Sequence, residues 1–392
     1  MRIERKEREE MEVPEGFLFS AVSCGIKEPG KPDMGLVFSN KKLTAWGVFT
    51  KNSVKAVPVI LGKKFLKRGE IRGILANSGV ANACTGEEGF KRAESLLGKL
   101  SRILNVSEKS ILPASTGVIG EQLPVEKMSL KLEELVKGLA PEKFHSFAEA
   151  IMTTDTFPKV YFAETSEGIR ILGIAKGAGM IAPNMATMLG FIFTDAEVSR
   201  EFLKKFLKKL VEETFNRISV DGDTSTNDTV YMLCSNKKMV KDLKEFEKKC
   251  LEVADKLAYF IAKDGEGATK IIKIKIKGAK NKQDARKLAE AVANSPLVKT
   301  AFYGCDPNWG RIFSALGKTG IKFSPENVEL YLNSVPWIKN LKLISDEKKL
   351  KEEMRKNEVE LFIKLKEGRI SYEFYTCDFT ENYIKINANY RT

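Results

Sequence analysis

One hydroxyl stands where a nucleophile would need to be. Thr187 lies in the stretch Lys176-Gly-Ala-Gly-Met-Ile-Ala-Pro-Asn-Met-Ala-Thr-Met-Leu-Gly-Phe-Ile-Phe-Thr-Asp195, near the middle of a chain of 392 residues. The half before Thr187 is small residues, a proline and an asparagine. The half after it, from Met188 to Phe193, is an apolar run that reads as a buried strand. A Gly/Pro-rich entry lets backbone approach closely, and a buried strand holds an oxygen still. A plain strand start with an ordinary threonine fits the same residue types. The chain has a single histidine, His145, close to Phe144 and Phe147 in a helical pattern, which reads as structural or surface. Without it, a threonine can be activated by its own N-terminal amine. That chemistry requires a cut between Ala186 and Thr187, which frees an α-amine of ordinary pKa about 8, usable as a base near neutrality.

A second candidate lies in Ile111-Leu-Pro-Ala-Ser-Thr-Gly-Val-Ile-Gly120. The apolar segment ends in what reads as a Ser-Thr-Gly turn. Such a turn can present a hydroxyl and a backbone N–H together, as a developing oxyanion needs; a plain strand-to-turn transition is the alternative. Met152-Thr-Thr-Asp-Thr-Phe-Pro-Lys159 is a polar, hydroxyl-rich link. Glu266, in the Gly-rich turn Lys263–Lys270, reads as exposed. The Asp221/Asp223 pair fails as a calcium loop: Gly222 is at the wrong place and Met232 stands where the bidentate glutamate belongs. Six cysteines (Cys24, Cys84, Cys234, Cys250, Cys305, Cys377) are scattered without CxxC spacing. This argues against a zinc site or disulfide framework and for reduced thiols, so no metal is expected.

The elements that must position these residues alternate between strand and helix. Apolar runs at 17–23, 34–38, 46–50, 56–61 and 71–76 read as strands between turn signals. Helices are expected over about 87–104, 127–139, 141–152, from Ser199 on, 246–264 and 283–293. After Ser199, the residues Phe202, Leu203, Phe206, Leu207, Leu210 and Val211 form one stripe, with Lys204, Lys205, Lys208 and Lys209 opposite. Lys270–Lys277 alternates isoleucine with lysine, a strand with one wet face. Val359 to Leu365 and Ile370 to Phe374 alternate across Glu367-Gly368 and read as a hairpin.

A hydrophobic share of 43% with 30% charged residues fits a globular protein with a substantial core. The net charge of +13 raises a nucleic-acid-binding reading. The lysines, however, are interleaved with glutamates on polar faces, with no basic run carrying aromatics, so the excess reads as solvated surface. No apolar run reaches the ~18 residues of a membrane span. The charged start has no secretory apolar region, and a cytoplasmic protein is expected.

The central block closely resembles the hallmark Lys-Gly-(Ser/Ala)-Gly-Met-Ile-x-Pro-Asn-Met-Ala-Thr-Met-Leu of the ornithine acetyltransferase (glutamate N-acetyltransferase) family of arginine biosynthesis, here from Lys176 to Leu189. Gly-Glu-Gly-Ala-Thr at 265–269 and Ala301-Phe-Tyr-Gly-Cys-Asp-Pro-Asn-Trp-Gly-Arg-Ile312 extend the likeness over nearly the whole chain. The resemblance implies an α/β fold of mixed β-sheets sandwiched by helices. It implies self-cleavage before Thr187, giving an α chain of residues 1–186 and a β chain of 187–392. These would form one interdependent fold, with a smaller C-terminal α/β portion, and assemble as an α2β2 heterotetramer.

The implied reaction is ping-pong transfer of acetyl from N-acetylornithine to glutamate through an acetyl-threonine. Acetyl-CoA is an additional donor in some members, and no cofactor is required. By the same resemblance Thr187 is the nucleophile, and Thr116 and Gly117 form the oxyanion hole. Lys176, Glu266, Asn387, Thr392 and one of Thr153 or Thr154 bind substrate, Thr187 included. Asn308 and Arg311 fall near the site with no role assigned. Ala178 stands where serine is common. An N-terminal-nucleophile aminopeptidase of similar fold is the alternative, although its peptide-like substrate would not need Lys176, Glu266 and Asn387 together.

Overall fold

The computed structural model describes residues 12–68, 70–182 and 188–389. These fall into two compact units, one running to residue 216 with 223–261, the other comprising 217–222 and the residues from 262 on. The division does not coincide with the Ala186–Thr187 bond, which itself lies outside the described residues.

The first unit carries β1 (Leu18–Val22), β2 (Met34–Phe49), helix α1 (Val57–Arg68), β3 (Ile71–Val80), α2 (Gly86–Ile103) and β4 (Ile111–Val118). It continues through three short helices, α3 (Val125–Leu130), α4 (Leu132–Lys137) and α5 (Phe144–Ala150). Then come β5 (Lys159–Glu164), β6 (Arg170–Lys176), β7 (Leu189–Glu197), α6 (Arg200–Glu213), β8 (Thr229–Met239) and α7 (Leu243–Lys263). One eight-stranded sheet runs β4-β3-β2-β8-β7-β6-β5, with β1 paired to β2. The β3–β4 and β7–β8 pairs are parallel and the others antiparallel, so the sheet is mixed.

The apolar run after Thr187 becomes β7, and Phe191 and Phe193 are wholly buried. Phe193 meets Phe17 and Phe19 edge-to-face, both at 5.3 Å between ring centroids. Each such buried ring contributes roughly 1.5–3 kcal/mol, which fixes the strand that follows the proposed nucleophile. Ser199 caps α6 by accepting from the Phe202 N–H at 3.1 Å. The helix buries Leu203, Phe206, Leu207, Leu210 and Val211 and exposes the four lysines, as its stripe predicts.

Two expectations fail here. Residues 56–61 are not a strand: Val57 opens α1, with Pro58 in the first turn, where its missing N–H breaks no helical bond. A short buried apolar run does not separate helix from strand. The helices expected over 127–139 and 141–152 are also broken into shorter pieces, the second preceded by a 3-10 turn at Pro141–Lys143.

The second unit carries β9 (Ile271–Ala279), α8 (Lys282–Ala293), α9 (Pro296–Tyr303), α10 (Trp309–Gly317), β10 (Glu329–Leu332), β11 (Val335–Lys339) and β12 (Lys342–Leu343). It ends with α11 (Glu347–Met354), β13 (Glu358–Lys364), β14 (Ile370–Cys377) and α12 (Glu381–Asn389). Its six-stranded sheet runs β12-β11-β10-β13-β9-β14. In β9, Ile272, Ile274 and Ile276 are buried, and Lys273 pairs with Glu373 of β14 at 3.0 Å on the wet face. The hairpin expected between 359–365 and 370–374 does not form. β9 lies between β13 and β14, parallel to the first and antiparallel to the second. The Glu367-Gly368 turn closes over β9 instead, where both N–H groups donate to Gly278 O at 3.0 and 2.8 Å. The buried isoleucine row of β9 separates the two strands, which local turn chemistry does not reveal. Both sheets are mixed and carry helices, as the expected fold class requires.

Candidate active site

The β6–β7 pair is an antiparallel hairpin in which Lys176 sits opposite Leu189. Its loop holds Ala186 and Thr187, which lie outside the described residues, but both ends of the loop are fixed. At the far end, Met188 is gripped on both sides: its N–H donates to Asp228 Oδ1 at 2.8 Å, and its carbonyl accepts from Thr229 N at 3.0 Å.

At the near end, Lys176 is 5% exposed, and its ammonium donates to Thr116 Oγ1 at 3.0 Å and to Thr153 Oγ1 at 2.8 Å. The structure thus brings together three of the sequence-predicted residues from β6, β4 and the link after α5. Of Thr153 and Thr154, both half-buried, the Thr153 hydroxyl takes the Lys176 ammonium.

Residues 115–117 are not a turn but the end of β4. Gly117 has φ +131 and stands so close to β3 that an added Cβ would lie 2.2 Å from Gly79 C. Only glycine allows this approach, and it leaves Thr116 and Gly117 half-buried at the strand end.

Beneath Lys176 is a group that the sequence reading passed over. Asp155 is fully enclosed: Oδ1 accepts from Lys159 Nζ at 2.6 Å and from Gly177 N at 2.7 Å, and Oδ2 accepts from Thr153 N at 3.1 Å. Burial by itself would raise this carboxyl, but the Lys159 and Lys176 charges and the hydrogen bonds outweigh it and hold it well below the usual carboxylate range. Lys27 joins the cluster from the loop after β1, donating to Met152 O at 3.0 Å. Asp33 shapes that loop by accepting from the backbone of Cys24 at 2.6 Å and Ile26 at 2.7 Å. Burial pushes the Lys27 amine down to about 8, opposed by Asp33 and Asp155 and assisted by Lys176. Three lysines, Lys27, Lys159 and Lys176, against the two carboxylates Asp155 and Asp33 leave an excess of positive charge beside two hydroxyls, which suits an anionic group.

In the second unit, Glu266 is 8% exposed rather than open, and its Oε2 accepts from Asn387 Nδ2 at 2.8 Å. Asn387 is carried by α12. Gly267, at φ +68, backs onto that helix so closely that a Cβ would lie 2.5 Å from Tyr383 N. Thr392 lies outside the described residues. Arg311 donates to Leu297 O at 2.8 Å and Asn308 to Asp306 at 3.2 Å, contacts local to the second unit.

His145 stacks against Phe144 at 4.2 Å. All six cysteines are free and four are buried. Among the described residues, no helix is long and apolar enough to cross a membrane, and no group of three His, Cys, Asp or Glu side chains is placed to hold a metal.

A buried ammonium that donates to two hydroxyls within the field of a buried carboxylate can meet a substrate carboxylate or a developing oxyanion, an arrangement that suits an enzyme of the acyl-transfer kind. The model of the ArgJ family matches residues 18–392. An arginine biosynthesis bifunctional protein ArgJ from Thermotoga neapolitana is 45% identical over 97% of this chain and 100% of its own. One of the same name from Thermus thermophilus is 44% identical over 97% and 99%. A solved arginine biosynthesis bifunctional protein ArgJ from Bacillus halodurans aligns with TM-score 0.50 and 37% identity, covering 52% of this chain and 100% of the solved one. The chain belongs to the ArgJ family, and as a member of it is an N-acetyltransferase.

Proposed function

We propose that the chain moves acetyl from N2-acetyl-L-ornithine to L-glutamate through an acetyl-threonine on Thr187, after cutting itself between Ala186 and Thr187. The observation that carries the reading is the Lys176 ammonium shared by Thr116 and Thr153, at the near end of the loop that holds Thr187. The half-length of the solved relative from Bacillus halodurans, matched throughout by 52% of this chain, fits a precursor divided near its middle.

In the proposed cycle the Thr187 hydroxyl attacks the acetyl carbonyl of acetylornithine, and the freed Thr187 α-amine takes its proton. The negative charge gathers on the carbonyl oxygen, where Thr116 and Gly117 donate; each such donor is typically worth ~10²–10³ in rate. The tetrahedral species collapses, and ornithine leaves with the proton. Glutamate then enters, its amine attacks the acetyl-threonine ester, and N-acetylglutamate departs. Lys176 holds a substrate carboxylate. Glu266, set by Asn387 at 2.8 Å, receives a substrate amine, with Thr392 completing that end. Acetyl-CoA is proposed as a second donor to Thr187. The cut chains are proposed to assemble as an α2β2 heterotetramer in the cytoplasm.

The test is an acetyl-transfer assay with acetylornithine and glutamate, run beside intact-mass detection of the β chain. One acetyl added to Thr187 by acetylornithine alone, and removed by glutamate, is expected, with parallel double-reciprocal plots. Transfer that never labels the chain would contradict the ping-pong cycle. Acetyl-CoA with glutamate tests the second donor, and hydrolysis of small peptides without transfer would return an aminopeptidase.

A further inference from the structure

Two residues of the second unit meet in a way that none of the roles above uses. Lys270 directly precedes β9, and its ammonium donates to Cys305 Sγ at 3.1 Å. Lys270 is 8% exposed, and among the described residues that sulfur is the only hydrogen-bond partner of its Nζ, with no carboxylate at ion-pair distance. A thiol sulfur is a weak acceptor, poor compensation for an ammonium taken out of water.

Both partners are held by their backbones. The Lys270 N–H donates to Asp378 Oδ1 at 3.0 Å, and its carbonyl accepts from Asp378 N at 3.3 Å. Cys305 follows α9 with left-handed backbone, φ +52, a conformation that residues other than glycine rarely adopt. Its N–H donates to Phe302 O at 3.2 Å, and the next N–H, of Asp306, donates to Ala301 O at 2.9 Å. The other cysteines lack this combination. Cys24, Cys234, Cys250 and Cys377 are buried, whereas Cys305 is half-buried and within reach of a small solute. Cys84 is exposed but has no lysine against its sulfur among the described residues. Cys377 does have one, with Lys299 Nζ 3.8 Å from Sγ. That ammonium, however, also donates to Thr376 Oγ1 at 2.9 Å and to Cys377 O, and the Cys377 thiol is 1% exposed.

A nucleophile about 3–3.5 Å from the atom it must attack is in reacting position. Peroxides oxidise accessible thiols to sulfenic acids, which condense with nitrogen. We propose that Lys270 and Cys305 form a modification site at which a peroxide joins Nζ to Sγ as a sulfenamide. In the first step Sγ attacks one oxygen of hydrogen peroxide, the O–O bond breaks, and the departing hydroxide takes the thiol proton. Cysteine is oxidised to the sulfenic acid and the peroxide is reduced to water. In the second step the Lys270 nitrogen, having released one proton to solvent, attacks Sγ. The S–O bond breaks, and the hydroxide leaves as water with a second nitrogen proton. The link holds two hydrogens fewer than the thiol and the neutral amine, and a thiol reductant reverses it. It ties the end of the turn that carries Glu266 to the loop between α9 and α10, and it does not depend on the acetyl-transfer reading.

The experiment exposes the purified, reduced and desalted full chain to hydrogen peroxide without denaturant. After desalting and alkylation it is mapped by tryptic mass spectrometry, beside Lys270→Met and Cys305→Ser. Wild type is expected to give the Lys270 and Cys305 peptides joined, two hydrogens lighter than their sum, and dithiothreitol is expected to separate them. Cys305→Ser should give no link. In Lys270→Met the link should be lost and Cys305 carried on to sulfinic acid, which dithiothreitol does not restore. Lys299 and Cys377 should stay unlinked. Wild-type Cys305 that remains a free thiol, or goes to sulfinic acid or an interchain disulfide without the joined peptides, overturns the inference and needs no variant to fold. So does a joined mass that persists in Lys270→Met, or a Lys299–Cys377 link that forms as readily.

Discussion

Replacing Asp155 with asparagine removes the one carboxylate at the centre of the lysine cluster. The Asp155 and Lys159 side chains are both wholly buried and meet at 2.6 Å. The substitution takes the Asp155 charge away from the buried Lys159 ammonium, and breaking a buried pair from one side costs about 3–5 kcal/mol. The asparagine oxygen can serve only some of the donors at 2.6–3.1 Å, and its NH₂ group meets another donor, so the cost falls toward the upper end of that range. At roughly 2–4 °C per kcal/mol for a domain of this size, the thermal midpoint of Asp155→Asn should fall by about 6–20 °C.

The assay is thermal unfolding at pH 7 of Asp155→Asn, Lys159→Met and the double variant. If the pair is the source, the double variant loses less than the sum of the singles. The pH dependence has a definite sign. The folded pKa of Asp155 lies below its unfolded value, so its contribution is complete above about pH 4 and is lost as pH falls below that. The gap between wild type and Asp155→Asn should therefore hold from pH 5 to 8 and close on acidification. A single variant within about 2 °C of wild type at pH 7 would refute the reasoning.

Thr116→Val removes a proposed oxyanion donor, and kcat should fall by ~10²–10³ with little change in KM, read from initial rates of acetyl transfer. Lys27 gives the same sign as Asp155 in a more alkaline window. With its amine pushed down to about 8 from 10.5, the unfolded chain binds more protons between those values, so stability rises with pH across that window. Denaturant titrations at pH 8 and 10 should show this rise in wild type and its loss in Lys27→Met. Asn387→Ala removes one hydrogen bond from the Glu266 carboxylate, and KM for the amino-acid substrates should rise more than kcat falls, measured in the same transfer assay.

Periodicity made α6 and β9 legible because each has one wet and one dry face, and the wet face shows in the sequence as lysine. The run at 56–61 is apolar at every position, the exposed Ile60 included, so no polar residue marks its period. The β13–β14 pairing was misread because their partner, β9, comes from about ninety residues earlier, beyond the reach of any local signal.

The site divides in the same way. Lys176 and Thr116 are legible through the family resemblance, and Thr153 only as one of a pair with Thr154. Asp155, Lys159 and Asp228 are not legible as buried, because a charged residue in a polar stretch looks solvated until the fold closes over it. The available hint was density: Asp155 to Lys159 places a carboxylate and an amine four residues apart in a link already marked by three threonines.

The central claim is that Thr187 becomes an N-terminal nucleophile. Intact-mass spectrometry of the purified protein, beside Thr187→Ala, tests it most directly. Two fragments that meet at Ala186 and Thr187 in wild type, and a single uncut inactive chain in the variant, are the predicted result. An active wild-type chain that remains whole would contradict the mechanism and return Thr187 to an ordinary position at the head of a buried strand.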